Sequence, residues 1–133
     1  MIAAPTEIHK DLYLVPIEVG QIVSMQNVFF EQGKPLLLNN SYPELDKLAY
    51  ILLTNSTMEI RIDGHTDNVG DPKLNMKLSQ ERVDVVRDYL VKKGVTAKRM
   101  TTKAFGGTKP IASNATEATR KLNRRVEFTI TKQ

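Results

Sequence analysis

The sequence predicts an α+β domain, a two-layer α/β sandwich in the order β-α-β-α-β-(α)-β, with helices covering one face of a mixed sheet. Three observations carry that prediction. MEIRIDGH, residues 58–65, and RVEFTI, residues 125–130, alternate apolar and polar side chains at the period of a half-buried strand. Leu45, Leu48 and Leu52 recur at helical spacing, and so do Val83, Val86 and Leu90. The two kinds of pattern follow one another along 133 residues, a length suited to one domain with one core.

Residues 1–21 read as an N-terminal arm and lead-in, and residues 22–133 as the domain proper. LYLVPIEVGQIVSMQNVFF is rich in Val, Ile, Phe and Tyr but is interrupted at Pro16 and Gly20, giving two extended segments, the second a core strand over 22–30. GKPLLLNN marks a loop. Ser41 with Glu44 three residues on spells a capping box, which starts a helix over 42–54. MEIRIDGH is the next strand, with Met58, Ile60 and Ile62 inward. Asp71-Pro72 reads as an N-cap with proline at the first helical position, and Ser79 as a second, stronger cap. The second helix is therefore expected from 79 or 80 to 93, with Gly94 as its left-handed stop. MTTKAF is a short strand, GGTKP a turn, and NATEATRKL a short helix capped by Asn114 or Thr116. RVEFTI closes the sheet with Val126, Phe128 and Ile130 inward.

Composition narrows the chemistry. The absence of cysteine excludes disulfides, thiolate metal sites and a cysteine nucleophile. No tract approaches the ~20 apolar residues of a membrane-spanning helix, and MIAAPTEIHKDLYL lacks the regions of a signal peptide, so the chain is not expected to be an intact secreted precursor. Residues 1–97 hold 10 Lys/Arg and 13 Asp/Glu, whereas residues 98–133 hold 9 and 2, so the positive charge gathers at the C-terminal end. That asymmetry fits an anionic partner or a solvated basic surface.

The stretch GHTDNVG, residues 64–70, concentrates the candidate chemistry. Asp67 lies just past a strand and Arg82 near the start of the next helix, so the two are expected to face one pocket. Arginine grips a carboxylate with a planar fork and aspartate accepts from an ammonium group, so a ligand carrying both groups on one carbon would match. The alternative is that the two charges bridge each other. Asn75 either orients a polar ligand or closes the turn. Gly64 and Gly70 flank the loop and supply backbone conformations closed to other residues, or close approach of the chain to a ligand. A metal site through His65, Asp67 and Asp63 lacks enough partner ligands, the only other histidine being His9 in the arm. His65 is expected to pack or hydrogen-bond at the strand end. No nucleophile elbow is visible. In RKLNRRVEF, Arg124 and Arg125 alternate, so at most one faces a given pocket, and no aromatic stacking motif for nucleic acid accompanies Arg120, Arg124 and Arg125.

Taken together, VFFEQGKPLL, SYPELDKL, GHTDNVGDPKLNMKLSQERVDVVRDYLVKKGV, RMTTKAFGGTKPIASNAT and RKLNRRVEF resemble the OmpA-like peptidoglycan-binding domain. The resemblance covers about residues 22–131, and SYPELDKL with the DLYLVPIEVG lead-in is most similar to outer-membrane proteins of the Bacteroidetes type. It implies the sandwich fold, no catalysis, no cofactor and no metal. It also implies a periplasmic role in which an outer-membrane protein, attached through other parts of a longer chain or a partner, is tied to the cell wall. Asp67 would then bind the amino group and Arg82 the carboxylate of a meso-diaminopimelate residue in the peptidoglycan stem peptide. Asn75, Arg124, Phe30, Glu31, Thr66 and Leu78 match further ligand-binding positions. Glu31 stands where the family usually has Asp, and Val69 where it often has a polar residue.

Overall fold

The computed structural model describes residues 18–133, so the first extended segment and the arm carrying His9 lie outside the described residues. Four strands, β1 (Ile22–Met25), β2 (Glu59–His65), β3 (Met100–Gly106) and β4 (Arg125–Lys132), form one sheet in the order β1-β4-β2-β3. β4 is antiparallel to both its neighbours, while β2 and β3 run parallel. That parallel pair needs a crossover, which α2 (Pro72–Lys92) supplies; α1 (Tyr42–Thr54) precedes β2, and the one-turn α3 (Glu117–Arg120) precedes β4.

The periodicities place the core where alternation requires it. Ile60 and Ile62 of β2 and Val126, Phe128 and Ile130 of β4 join Leu45, Leu48 and Leu52 of α1 and Val83, Val86 and Leu90 of α2 in one buried cluster. Each large side chain so buried stabilises the fold by ~1.5–3 kcal/mol before entropy is set against it. The mixed sheet with its helical layer is the architecture the sequence predicts.

Two element boundaries and one helix cap differ from expectation, each because a polar group finds a different partner. The first strand ends at Met25 rather than near residue 30; Phe30 makes only an isolated bridge with Leu37. Backbone groups in between are satisfied elsewhere, since Phe29 N–H donates to Ser41 Oγ (2.7 Å) and Ser41 Oγ donates back to the Phe29 carbonyl (2.8 Å). The same pair removes the expected capping box. With its hydroxyl committed to Phe29, Ser41 makes no cap hydrogen bond; α1 is entered through a 3-10 turn, Asn39–Ser41, and Glu44 accepts from Asn27 Nδ2 (3.5 Å).

The third difference is the start of α2. Asp71 is the working cap, accepting from Lys73 N–H at 2.8 Å, so the helix begins at Pro72. Ser79 is buried mid-helix, where its hydroxyl donates to the Met76 carbonyl (2.8 Å) and accepts from Gly106 N–H (3.1 Å), tying α2 to β3. Asn75 consequently lies in the first turn of the helix, not ahead of it. Gly94 has φ +106° and ends the helix as expected. Of the two caps offered for the short helix, Thr116 is used; it accepts from Thr119 N–H.

The sheet face away from the helices carries a buried polar layer. Asp63 is held by Arg61 Nε (2.6 Å) and Thr129 Oγ1 (2.8 Å). His65 is buried and stacks flat on Phe105, with ring centroids 4.9 Å apart. Its Nε2 lies 3.2 Å from Glu127 Oε1, though neither ring nitrogen has a well-directed hydrogen bond, and Arg125 Nε donates to Glu127 Oε2 at 2.8 Å. Contact with His65 first and Arg125 second holds the Glu127 carboxyl down to about 2, against a burial effect of opposite sign. A depressed folded-state value stabilises the native state above the unfolded-chain value near 4.5, and that contribution fades as pH falls toward 2. Glu127→Gln is therefore expected to lose roughly 1–3 kcal/mol in urea unfolding at pH 7, and to lose less further stability between pH 5 and pH 2.5 than the parent protein. Parallel acid profiles for the two proteins would contradict this.

Candidate ligand-binding site

The site is built where β2 runs into α2 through the turn GHTDNVG. Its two glycines do different work. A Cβ on Gly64 would sit 2.6 Å from the Ser79 carbonyl oxygen and 2.7 Å from Val83 Cγ1, so this glycine lets the strand lie directly against the helix. Gly70 has open space around it but φ +90°, so its role is conformational. Between them, Asp67 Oδ1 accepts from Val69 N–H at 3.0 Å, closing the turn and fixing the carboxylate.

The other oxygen of Asp67 determines the character of the site. Oδ2 accepts from Arg124 Nη1 at 2.7 Å, with Arg120 Nε 3.9 Å away. Arg124 also forms a two-pronged pair with Glu117, through Nη1–Oε1 at 3.3 Å and a short Nη2–Oε2 contact, and Arg120 Nη2 reaches Glu117 Oε1 at 3.3 Å. The hydrogen bond to Glu117, then that to Asp67, raises the Arg124 pKa against desolvation, and Arg124 in turn lowers that of Glu117. The alternative in which Asp67 and Arg82 bridge each other is therefore not what forms. Asp67 pairs with an arginine 57 positions along the chain.

Arg82 projects from α2 toward the loop after β1. Its Nε donates to the Lys34 carbonyl (3.2 Å) and Nη2 to the Glu31 carbonyl (3.4 Å), and its guanidinium lies over the Phe30 ring at 4.9 Å. Among the described residues it has no carboxylate partner in ion-pair contact. Burial first and repulsion from Arg124 second lower its pKa, while Asp67 acts in the opposite sense. The guanidinium stays charged even so. A partly desolvated cation supported only by neutral carbonyls and a ring face is chemically suited to pair with an anion.

The remaining candidates have definite places. Asn75 Nδ2 donates to the Val69 carbonyl (3.0 Å) and more distantly to that of Asp67 (3.5 Å), so its amide closes the turn. Thr66 is buried, and its hydroxyl donates to the Asp67 carbonyl at 2.7 Å. Phe30 and the Glu31 backbone support Arg82, but the exposed Glu31 carboxylate turns to Lys34 at 3.6 Å. Leu78 is half-buried on α2. As the alternation of Arg124 and Arg125 requires, Arg124 meets Asp67 while Arg125 turns to Glu127 on the sheet.

Two participants went unread in the sequence as members of this site, Glu117 and Arg120. The spacing Glu117, Arg120, Arg124, at i, i+3 and i+7, was the available signal. The segment carrying them is organised by fully buried Asn123, whose Oδ1 accepts from Ile111 and Ala112 N–H and whose Nδ2 donates to the Ala112 carbonyl and Asn114 Oδ1. Among the described residues no group of three or more His, Cys, Asp or Glu is placed to hold a metal ion, and no helix is long and apolar enough to cross a membrane.

Residues 29–124 match the model of the OmpA family. Outer membrane porin F of Pseudomonas fluorescens is 40% identical over 116 residues, 86% of this chain and 36% of that protein. Peptidoglycan-binding protein ArfA of Mycobacterium tuberculosis is 39% identical over 94 residues, 71% of this chain and 29% of that protein. The chain thus spans about a third of the length of the curated relatives it matches. The crystal structure of the peptidoglycan-associated lipoprotein from Burkholderia pseudomallei superposes with a TM-score of 0.68 at 26% identity, covering 85% of this chain and 90% of that one.

Proposed function

This chain belongs to the OmpA family, and from that premise we propose that residues 22–133 form a non-catalytic domain that binds peptidoglycan through the meso-diaminopimelate residue of the stem peptide. Arg82 takes the diaminopimelate carboxylate and Asp67 the amino group on the same carbon. The observation that carries this reading is the half-buried Arg82 guanidinium, without a carboxylate partner among the described residues and close enough to Asp67 to feel its charge. Each charge-assisted contact contributes ~1.5–3 kcal/mol, enough for modest affinity toward one stem. Many stems along a glycan strand raise retention through effective concentration. The relatives that carry peptidoglycan in their names support the ligand class, and the porin relative supports a periplasmic site at an outer membrane, reached through a longer chain or a partner.

One observation favours a second reading, an interaction module with a self-occupied pocket, because Arg124 already holds Asp67. Calorimetry with a diaminopimelate-containing tripeptide separates the two. We expect saturable heat with the parent protein, at least tenfold weaker binding for Asp67→Ala, and similarly weak binding when the diaminopimelate carboxylate is amidated. No heat from the parent protein would favour the self-occupied module, and indifference to amidation would mean that Arg82 reads something else.

A further inference from the structure

The acidic side of the site is already engaged by the chain itself. Asp67 Oδ1 accepts from Val69 N–H, and Oδ2 from Arg124 Nη1. The Asp67 side chain is only 13% exposed, so an ammonium group arriving at Oδ2 competes with Arg124 Nη1 for it. What happens to Arg124 then decides the cost of binding. An arginine released beside Arg82 and Arg120 with no carboxylate of its own would be a third like charge in a partly desolvated place, and Arg124 already acts on Arg82 with that repulsive sign.

Resting on the site reading above, we propose that Glu117 is the positioning residue that receives Arg124 when the ammonium group of the ligand takes Asp67. The geometry suits an exchange. Arg124 keeps both prongs of its Glu117 pair while surrendering only the Nη1–Asp67 contact, because Nη1 is shared between the two carboxylates and Nη2 belongs to Glu117 alone. Arg120 Nη2 holds Glu117 Oε1 from the other side, so the carboxylate is fixed before the exchange begins. Glu117 is itself largely exposed, which keeps the departing guanidinium in a solvated position. With a neutral residue there, Arg124 has Asp67 as its one remaining carboxylate partner among these groups and competes harder with the ligand for it. The carboxylate side of the ligand, which meets Arg82, is not touched by the exchange.

The test compares Glu117→Gln and Glu117→Asp with the parent protein in calorimetric titrations against two probes. One is a stem tripeptide ending in meso-diaminopimelate. The other is the same peptide with the terminal-centre amine replaced by hydrogen, its weaker binding read by competition against the first. Glu117→Gln is expected to weaken the amine-bearing probe roughly three- to fivefold, the size of a partly exposed ion-pair coupling, and to leave the des-amino probe within experimental error. Glu117→Asp, which retains the charge, should recover most of the loss. Equal affinity of Glu117→Gln and the parent for the amine-bearing probe, or an equal loss for both probes, overturns the role of Glu117 and leaves the site reading standing. A parent protein that binds neither probe overturns the site reading and this inference with it.

Discussion

Replacing Arg82 by alanine is expected to abolish co-sedimentation of the protein with purified sacculi. Arg82 is the cation of the site that has no ion-pair partner of its own among the described residues, so in the proposed complex it is the group that meets the ligand carboxylate. Truncating one side of a hydrogen-bonded charge pair costs ~2–5 kcal/mol of binding, a loss that takes a modest affinity beyond detection. The fold should survive, because in the free protein the guanidinium makes only two long contacts to the carbonyls of Lys34 and Glu31 and lies over the Phe30 ring. Unchanged circular dichroism with lost sedimentation is the expected pair of results. Arg82→Lys should also bind poorly: an ammonium group cannot present two parallel donors to a carboxylate or lie flat on Phe30. Retained sacculus binding by the alanine variant would sink the proposed role of Arg82 outright.

Gly64→Ala is expected to destabilise the fold by overpacking. The added Cβ meets the Ser79 carbonyl oxygen at 2.6 Å and Val83 Cγ1 at 2.7 Å. The first is helix backbone and the second a fully buried core side chain, so neither can yield without moving α2 off β2. Overpacking of that kind costs ~1–3 kcal/mol, which for a domain of this size lowers the melting temperature by roughly 4–12 °C. Binding should suffer as well, because α2 carries Arg82 and Asn75 while β2 leads into Asp67. A variant melting with the parent would mean that strand and helix separate at no cost, contrary to the buried contact of Ser79 with Gly106 that pins the same helix to β3.

Much of the fold was legible in the sequence because alternation and helical recurrence are local signals. Ile60, Ile62, Val126, Phe128 and Ile130 announce a buried strand face, and Leu45, Leu48, Leu52, Val83, Val86 and Leu90 announce helix faces, wherever these segments end up. The errors fell on polar residues with more than one use. Ser41 and Ser79 are both good caps by type, yet one hydroxyl went to Phe29 and the other to Met76 and Gly106. Sequence reading ranks what a hydroxyl can do next to itself, and the partners at Phe29 and Gly106 lie 12 and 27 positions away.

The candidate site divides along the same line. The sequence by itself determined the ingredients: a strand–turn–helix with Asp67 in the turn, Arg82 on the helix, Gly64 and Gly70 flanking the turn, and a basic segment near the C-terminus. Its residue types and spacing required nothing more distant than a few turns of chain. Only the tertiary structure decided the pairing. It gave Asp67 to Arg124 rather than to Arg82, brought Glu117 and Arg120 beside them, and left Arg82 against carbonyls and a phenyl ring. The physical reason is that opposite charges take whichever partner the packed elements bring within reach, and several arginines compete for one carboxylate. Which of them wins depends on the placement of α3 and β4 against the Asp67 turn, a long-range outcome that no periodicity records.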